Sequence, residues 1–274
     1  MRNFQKDIDA LRTRCGRTPL ALITGASSGM GVIYARELAR AGCDLLLVSN
    51  QEELLAKVAT ELAGAYGVRC LTRFQDLATA TAADELFAWC QAEGLPVDIL
   101  INNAGIFFFK ELALPDDRPR IEAILALHIA TVTRLTLLLG NEMKARGVGY
   151  VLNVASMAAE IPAPGLTLYA ATKAYLKTFS KSLYFEYRPY GVGLTVVCPA
   201  AVATPLYRIK PALMTWGVRI GLIATPDWLV RRALRGMFRR KRVVRPGLTN
   251  YLIPCLVNAL PNACVAAIWK KLTL

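Results

Sequence analysis

The sequence predicts an α/β protein: one doubly wound parallel sheet of about seven strands, with helices on both faces and a helical C-terminal extension. Three observations carry this. Short apolar runs alternate with helix-length amphipathic segments. The runs are almost continuously apolar, as strands buried on both faces of a parallel sheet are. A glycine-rich turn directly follows the first run and opens a helix, the setting in which such a turn carries meaning.

The elements follow in order. "PLALIT" (19 to 24) reads as a buried strand, followed by the turn and a helix to about Ala41. "CDLLLVS" (43 to 49) is the second strand, with a helix from about Gln51 to Tyr66. "VRCLTRF" (68 to 74) is the third, with a helix near 79 to 93. "VDILINNAG" (97 to 105) is a fourth strand ending in a polar turn, and a long helix spans roughly 119 to 146. "GYVLNVAS" (149 to 156) is the fifth, with a helix from about Thr167 to Tyr190. "VGLTVVCP" (192 to 199) is the sixth, and "KRVVRP" (241 to 246) holds a short seventh. There is no Pro/Gly/Ser-rich linker and no repeat. Residues 19 to 247 therefore read as one domain, with an arm over 1 to 18 and an apolar, basic extension over 248 to 274.

The 274 residues are 54% hydrophobic and 19% charged, which excludes a disordered chain. The seven cysteines form no CxxC pair and His128 is the only histidine, so no metal site is expected. Cysteines within apolar runs read as free buried thiols of a reducing compartment. The N-terminus is basic but has no apolar core, unlike a secretory signal, and reads as a short helix or arm laid over the domain. No run reaches 18 uninterrupted apolar residues, so no ordinary membrane-spanning helix is expected. The net charge is +13, and from Trp228 onward there are ten Lys or Arg and no Asp or Glu. "GLTNYLIPCLVNALPNACVAAIWKKLTL" then combines apolar residues, Trp269 beside Lys270 and Lys271, and breaks at Pro254 and Pro261. That composition suits short helices lying in a membrane interface; packing on the core or on a second copy is the bland alternative. A cytoplasmic protein with peripheral membrane contact through 231 to 274 is expected. Nucleic-acid binding by the basic tail is the rival, and the chain shows no nucleic-acid-binding module.

Ligands of doubly wound sheets sit beyond the carboxyl ends of the strands, and the informative residues fall there. "TGASSGMG" (24 to 31) follows the first strand, with Gly25, Gly29 and Gly31 spaced for a tight turn that brings a pyrophosphate to a helix N-terminus. "NNAG" (102 to 105) follows the fourth, Ser156 the fifth and "CPAAVATP" (198 to 205) the sixth. Tyr169 lies thirteen residues after Ser156, and Lys173 four after that. The last spacing puts both side chains on one helix face. A free tyrosine has a pKa of about 10, and a nearby ammonium favours the phenolate and brings it toward a useful range.

In this order the motifs resemble the short-chain dehydrogenase/reductase family over about residues 18 to 245. The resemblance implies a Rossmann-type domain and hydride transfer between a nicotinamide and a carbonyl or secondary alcohol. It implies that Tyr169 donates the proton, Ser156 holds the carbonyl oxygen, and Lys173 also binds the nicotinamide ribose. Cofactor contacts are expected from Gly25, Ser27, Ser28, Gly29, Met30, Gly31, Ser49, Asn50, Asp76, Leu77, Asn103, Ala104, Gly105, Tyr169, Lys173, Pro199, Val202 and Thr204. Asn102 is expected to line the adenine side with the backbone near Gly105.

Three positions depart from the family pattern. His128 takes the place of the asparagine that supports a water chain to the lysine; it is grouped with the catalytic residues and is able to change charge near pH 6 to 7. Ala200 replaces the glycine after Pro199. Ser49 and Asn50 stand where a carboxylate would select NAD, which removes the main repulsion of a 2′-phosphate, and related chains with Ser-Arg here use NADP. NADP is therefore the expected cofactor, with NAD the alternative. The lid, about 205 to 230, is rich in Leu, Met, Trp and Ile, and Phe107, Phe108 and Phe109 follow "NNAG". Together they point to an apolar carbonyl or alcohol substrate: a lipid, steroid or 3-oxoacyl compound. The family resemblance implies a homodimer or homotetramer. The alternative from another class is a non-catalytic dinucleotide sensor or scaffold with the same fold.

Overall fold

The computed structural model describes residues 4–107, 109, 110, 112, 116–161, 163–200 and 224–273. Seven parallel strands form one sheet: β1 (Leu20–Thr24), β2 (Asp44–Ser49), β3 (Cys70–Phe74), β4 (Val97–Asn102), β5 (Gly149–Val154), β6 (Val192–Val197) and β7 (Val243–Val244). Their order is β3-β2-β1-β4-β5-β6-β7. The order reverses between β1 and β4, which opens a crevice at the carboxyl ends of those strands. Strands β1, β4 and β6 are buried at every position, which explains their unbroken apolar runs.

One face of the sheet carries α2 (Gly29–Arg40), α3 (Glu52–Tyr66) and α8 (Pro226–Phe238), around Tyr34, Leu38, Leu55, Leu62, Leu234 and Met237. The other carries α4 (Ala82–Ala92), α5 (Arg118–Leu125), α6 (Val132–Arg146) and α7 (Thr167–Tyr187), around Leu86, Leu135, Leu139, Met143 and Leu183. Two helices close the chain: α9 (Thr249–Asn258) and α10 (Asn262–Thr273).

The N-terminal segment is the helical form of the expected short helix or arm. It forms α1 (Gln5–Cys15), which buries Phe4, Ile8 and Leu11 in the core beside α2 and α8. Its C-terminal end leads to Asp98, fully buried at the foot of β4. Arg17 donates to both Asp98 carboxylate oxygens at 2.7 and 2.8 Å, and the Leu20 N–H donates at 2.9 Å. Cys15 Sγ donates to the same carboxylate at 3.5 Å; burial, then Asp98, pushes that thiol up to about 11. Asp98→Ala would strand the Arg17 charge and the Leu20 N–H. It is expected to cost about 3 kcal/mol, read as a lower urea midpoint at unchanged slope.

The expected long helix is interrupted. A π-helical turn, Ala126–Thr131, separates α5 from α6 and holds His128; such insertions re-aim side chains and recur at functional sites. By length and composition Arg118–Arg146 is apolar enough to cross a membrane, against the sequence expectation. Half of it is buried inside the fold, as in a core helix. The α9–α10 pair bends by 102°, and Pro261 stands at that break; Pro254, where the sequence also predicts a break, lies inside α9 without ending it. The lid begins outside the described residues, and its end, from Pro226, is the first turn of α8, with Leu229 and Val230 buried.

Candidate active site

The crevice at the strand switch point is a cleft of about 340 Å³. Its lining takes in Gly25, Ser27, Ser28, Gly29, Met30, Ser49, Asn50, Asp76, Leu77, Asn103, Ala104, Gly105, Ser156, Tyr169, Lys173 and Pro199. The fold therefore brings together sixteen residues that the sequence scattered over 175 positions. Val202 and Thr204 lie outside the described residues.

The floor is set by close backbone approach. Gly25 has φ +66°, and a Cβ there would lie 2.9 Å from the Ala104 Cα. Gly29, at φ +56°, opens α2 with no atom within 4 Å of where its Cβ would be. That bare helix start, facing the cleft, fits a pyrophosphate. Gly31 does not line the cleft. A Cβ there would meet the Gly25 carbonyl at 2.0 Å, so its task is to let the turn lie on the helix. Asn103 Nδ2 staples the floor by donating to the carbonyls of Thr24 (3.0 Å) and Gly25 (3.2 Å). Asn102 corrects the sequence expectation: it turns inward, 2% exposed, and donates to Thr136 Oγ1 and Asn153 Oδ1. Successive strand residues point to opposite faces, so of two adjacent asparagines only one reaches the cleft.

At the β2 corner, Ser27 Oγ bonds Ser49 Oγ at 2.8 Å and Gln51 Oε1 at 2.7 Å. Asn50 is exposed beside them. Among the described residues lining this corner there is no carboxylate, because Glu52 and Glu53 sit in the first turn of α3 and point to solvent. These groups fit a phosphorylated ribose. Gln51 and Gln75 also line the cleft; the sequence offered no sign of them except adjacency to Asn50 and Asp76.

Ser156, Tyr169 and Lys173 form the opposite wall. Ser156 caps a 3-10 turn, Met157–Glu160, and its Oγ accepts the Ala158 N–H at 3.1 Å. With that acceptor position used, the hydroxyl hydrogen is left to donate outward. Tyr169 is 6% exposed, with the Phe107 ring edge-on at 5.0 Å and the His128 ring at 5.8 Å. Lys173 Nζ lies 5.7 Å from the Tyr169 ring centre and donates to the Val154 carbonyl at 3.0 Å. Burial lowers the Lys173 ammonium to about 8, with the Cys198 sulfur acting weakly the other way.

His128 stands behind this wall and does not line the cleft. The Ile106 N–H donates to its Nε2 at 2.9 Å, so Nδ1 carries the hydrogen and faces Thr172 Oγ1 at 3.0 Å. Thr172 Oγ1 spends its own hydrogen on the Tyr169 carbonyl at 2.9 Å. Burial, then the Lys173 charge, holds the imidazole well below its ordinary value. The expected charge change near pH 6 to 7 is thus overturned: the ring is neutral and braces the turn after β4 against α7.

The comparisons with known proteins agree with this geometry. The family model described as short chain dehydrogenase matches residues 19–212. A very-long-chain 3-oxoacyl-CoA reductase of Anas platyrhynchos is 34% identical over 220 residues, covering 78% of this chain and 67% of that protein. The Homo sapiens protein of the same name is 31% identical over 258 residues, 93% of this chain and 78% of the relative. Among solved structures, a short-chain dehydrogenase from Sphingobium yanoikuyae in complex with NADPH superposes with a TM-score of 0.75 at 29% identity, over 89% of this chain and 97% of that one. By fold, motif order and kinship, the chain belongs to the short-chain dehydrogenase family of oxidoreductases.

Proposed function

We propose that this chain reduces the 3-oxo group of a long-chain acyl thioester with NADPH. The observation that carries the reading is the single cleft wall formed by Ser156, Tyr169 and Lys173, facing a glycine floor shaped for a dinucleotide. The curated relatives are reductases of very-long-chain 3-oxoacyl-CoA. The carboxylate-free corner at Ser49 and Asn50 supports NADP over NAD.

When bound, the nicotinamide supplies a hydride to the carbonyl carbon. The chain's own residues handle the oxygen. Ser156 donates its hydroxyl hydrogen to the carbonyl oxygen and fixes its position. Tyr169 gives that oxygen its phenolic proton as the C–H bond forms, so a secondary alcohol leaves and a phenolate remains. Lys173, positive below about pH 8, stabilises that phenolate electrostatically. His128 holds the backbone of Ile106 and the α7 turn at Thr172, and keeps the wall in place without titrating.

The test is NADPH and NADH oxidation by purified protein against 3-oxoacyl thioesters and apolar ketones, with Tyr169→Phe as control. Turnover that prefers NADPH and 3-oxoacyl thioesters supports the reading. Turnover confined to small polar ketones sinks it.

The C-terminal helices support work at an anionic membrane surface on the cytoplasmic side. Leu248, Leu252 and Leu256 are 71%, 51% and 67% exposed, and Lys270, Lys271 and the Arg-rich stretch from Arg231 supply positive charge. Leu252→Asp with Leu256→Asp is expected to release the protein from liposomes containing phosphatidylserine, with no loss of thermal stability. Equal sedimentation of parent and variant would refute membrane contact. Exposed Tyr175 and Phe185 on α7, and Leu137 on α6, support a homodimer through those helices.

A further inference from the structure

We propose that an open groove beside the catalytic wall, bordered at one edge by the C-terminal helices, holds the acyl chain of the substrate, and that Trp269, packed next to the groove, limits the chain it accepts. This rests on the reading of the protein as a long-chain 3-oxoacyl thioester reductase.

The turn after Ser156 and the first half of α7 border an open groove of about 740 Å³. That volume lies within the roughly 300–1,000 Å³ common to small-molecule sites. Ala158, Ala163, Pro164, Ala171, Ala174 and Asn258 line it. Its one carboxylate, Glu160, is committed to Lys177 at 2.9 Å and Arg245 at 2.8 Å. The groove adjoins the chemistry through the backbone. The Ala158 N–H bonds Ser156 Oγ, and Ala170, also in the lining, follows Tyr169. A peptide placed here would set its N–H and C=O groups against methyl groups, an unpaid desolvation. An alkyl chain has no such groups and gains from burial.

One edge of the groove comes from the far end of the sequence, through Asn258. Asn258 Nδ2 donates to the Glu160 carbonyl at 2.9 Å. Trp269 meets Phe109 edge-on at 5.9 Å. Both rings crowd Gly165, where a Cβ would lie 2.8 Å from Trp269 and 2.9 Å from Phe109. Gly165 adjoins Pro164 in the groove wall. Phe107, from the same loop as Phe109, touches Tyr169. Aromatic rings thus mark both ends of this loop, from the reacting tyrosine to the last helix.

The test is calorimetric binding of butyryl- and stearoyl-coenzyme A to the Tyr169→Phe protein, and to the same protein carrying Trp269→Ala or Ala171→Phe. Ala171 is an exposed helix position, so a phenyl ring there fills the groove without overpacking the core. Stearoyl-coenzyme A is expected to bind about 100-fold more tightly than the butyryl ester, as the added methylenes are buried. Ala171→Phe should erase that ratio, and Trp269→Ala should change it at least several-fold. Equal affinity for the two esters, or variants that shift both alike, would overturn the assignment. Chain-length preference without any 3-oxoacyl turnover would instead sink the reductase reading and leave the groove assigned. Turnover without chain-length preference would do the reverse.

Discussion

Tyr169→Phe is expected to lose carbonyl reduction by about 10²- to 10⁴-fold, the usual contribution of a positioned general acid. The substitution removes one oxygen. The ring stays, and with it the edge contacts to Phe107 and His128, so neither the loop after β4 nor α7 has reason to move. Lys173 keeps its bond to the Val154 carbonyl, and the glycine floor is untouched. Cofactor affinity, read from NADPH fluorescence, should therefore match the parent while kcat collapses. A variant retaining a tenth of the parent kcat would show that the proton comes from elsewhere. A variant losing NADPH binding as well would show that Tyr169 is part of the floor rather than the acid.

Lys173→Met is expected to move activity and stability in opposite directions. Lys173 is 5% exposed, and desolvation brings its ammonium from 10.5 to about 8. At 1.36 kcal/mol per pKa unit, keeping it charged near neutrality costs about 3 kcal/mol. The folded-state value lies below the unfolded one. Between about pH 8 and 10.5 the unfolded chain therefore binds more protons, and stability rises with pH there. Below pH 8 the penalty is present in full. Methionine removes the charge but also the donor to Val154, worth about 1 kcal/mol. The net gain is about 2 kcal/mol at pH 7, a melting temperature about 4–8 °C higher. At pH 10 the difference should shrink. Activity should fall with the lost charge, and the parent's own kcat should decline as pH passes about 8 while the variant's stays low and flat. A lower melting temperature at pH 7 would refute the claim that Lys173 is held at a cost.

This opposition explains why the site looks as it does. A buried lysine with one carbonyl partner in view is poor structure and useful chemistry. His128 shows the reverse. Both of its nitrogens are satisfied, its charge is suppressed, and it serves the wall as a brace. The position at which a sequence reading expects a proton carrier holds a neutral ring, because burial beside an ammonium disfavours a second positive charge.

The linear chain by itself determined the strands, their parallel arrangement and the grouping of Ser156, Tyr169 and Lys173 at one cleft. Continuous apolar runs have one low-cost destination, a sheet covered on both faces, and the observed strands fall within those runs. The four-residue step from Tyr169 to Lys173 has one meaning once the segment is helical. Only the tertiary structure decided the rest. It turned Asn102 inward and Asn103 to the cleft, because strand-end residues alternate and the sequence does not say where the alternation stops. It inserted a π-turn at His128, which helix periodicity does not encode. It folded Phe4, Ile8 and Leu11 into the core, where composition left a short helix and a loose arm as alternatives. It set Trp269 against Phe109, 160 positions apart. Contacts of that kind depend on how two independently stable elements come to rest on one another. Local sequence fixes each element's apolar face, and the packing of the whole chain fixes what that face meets.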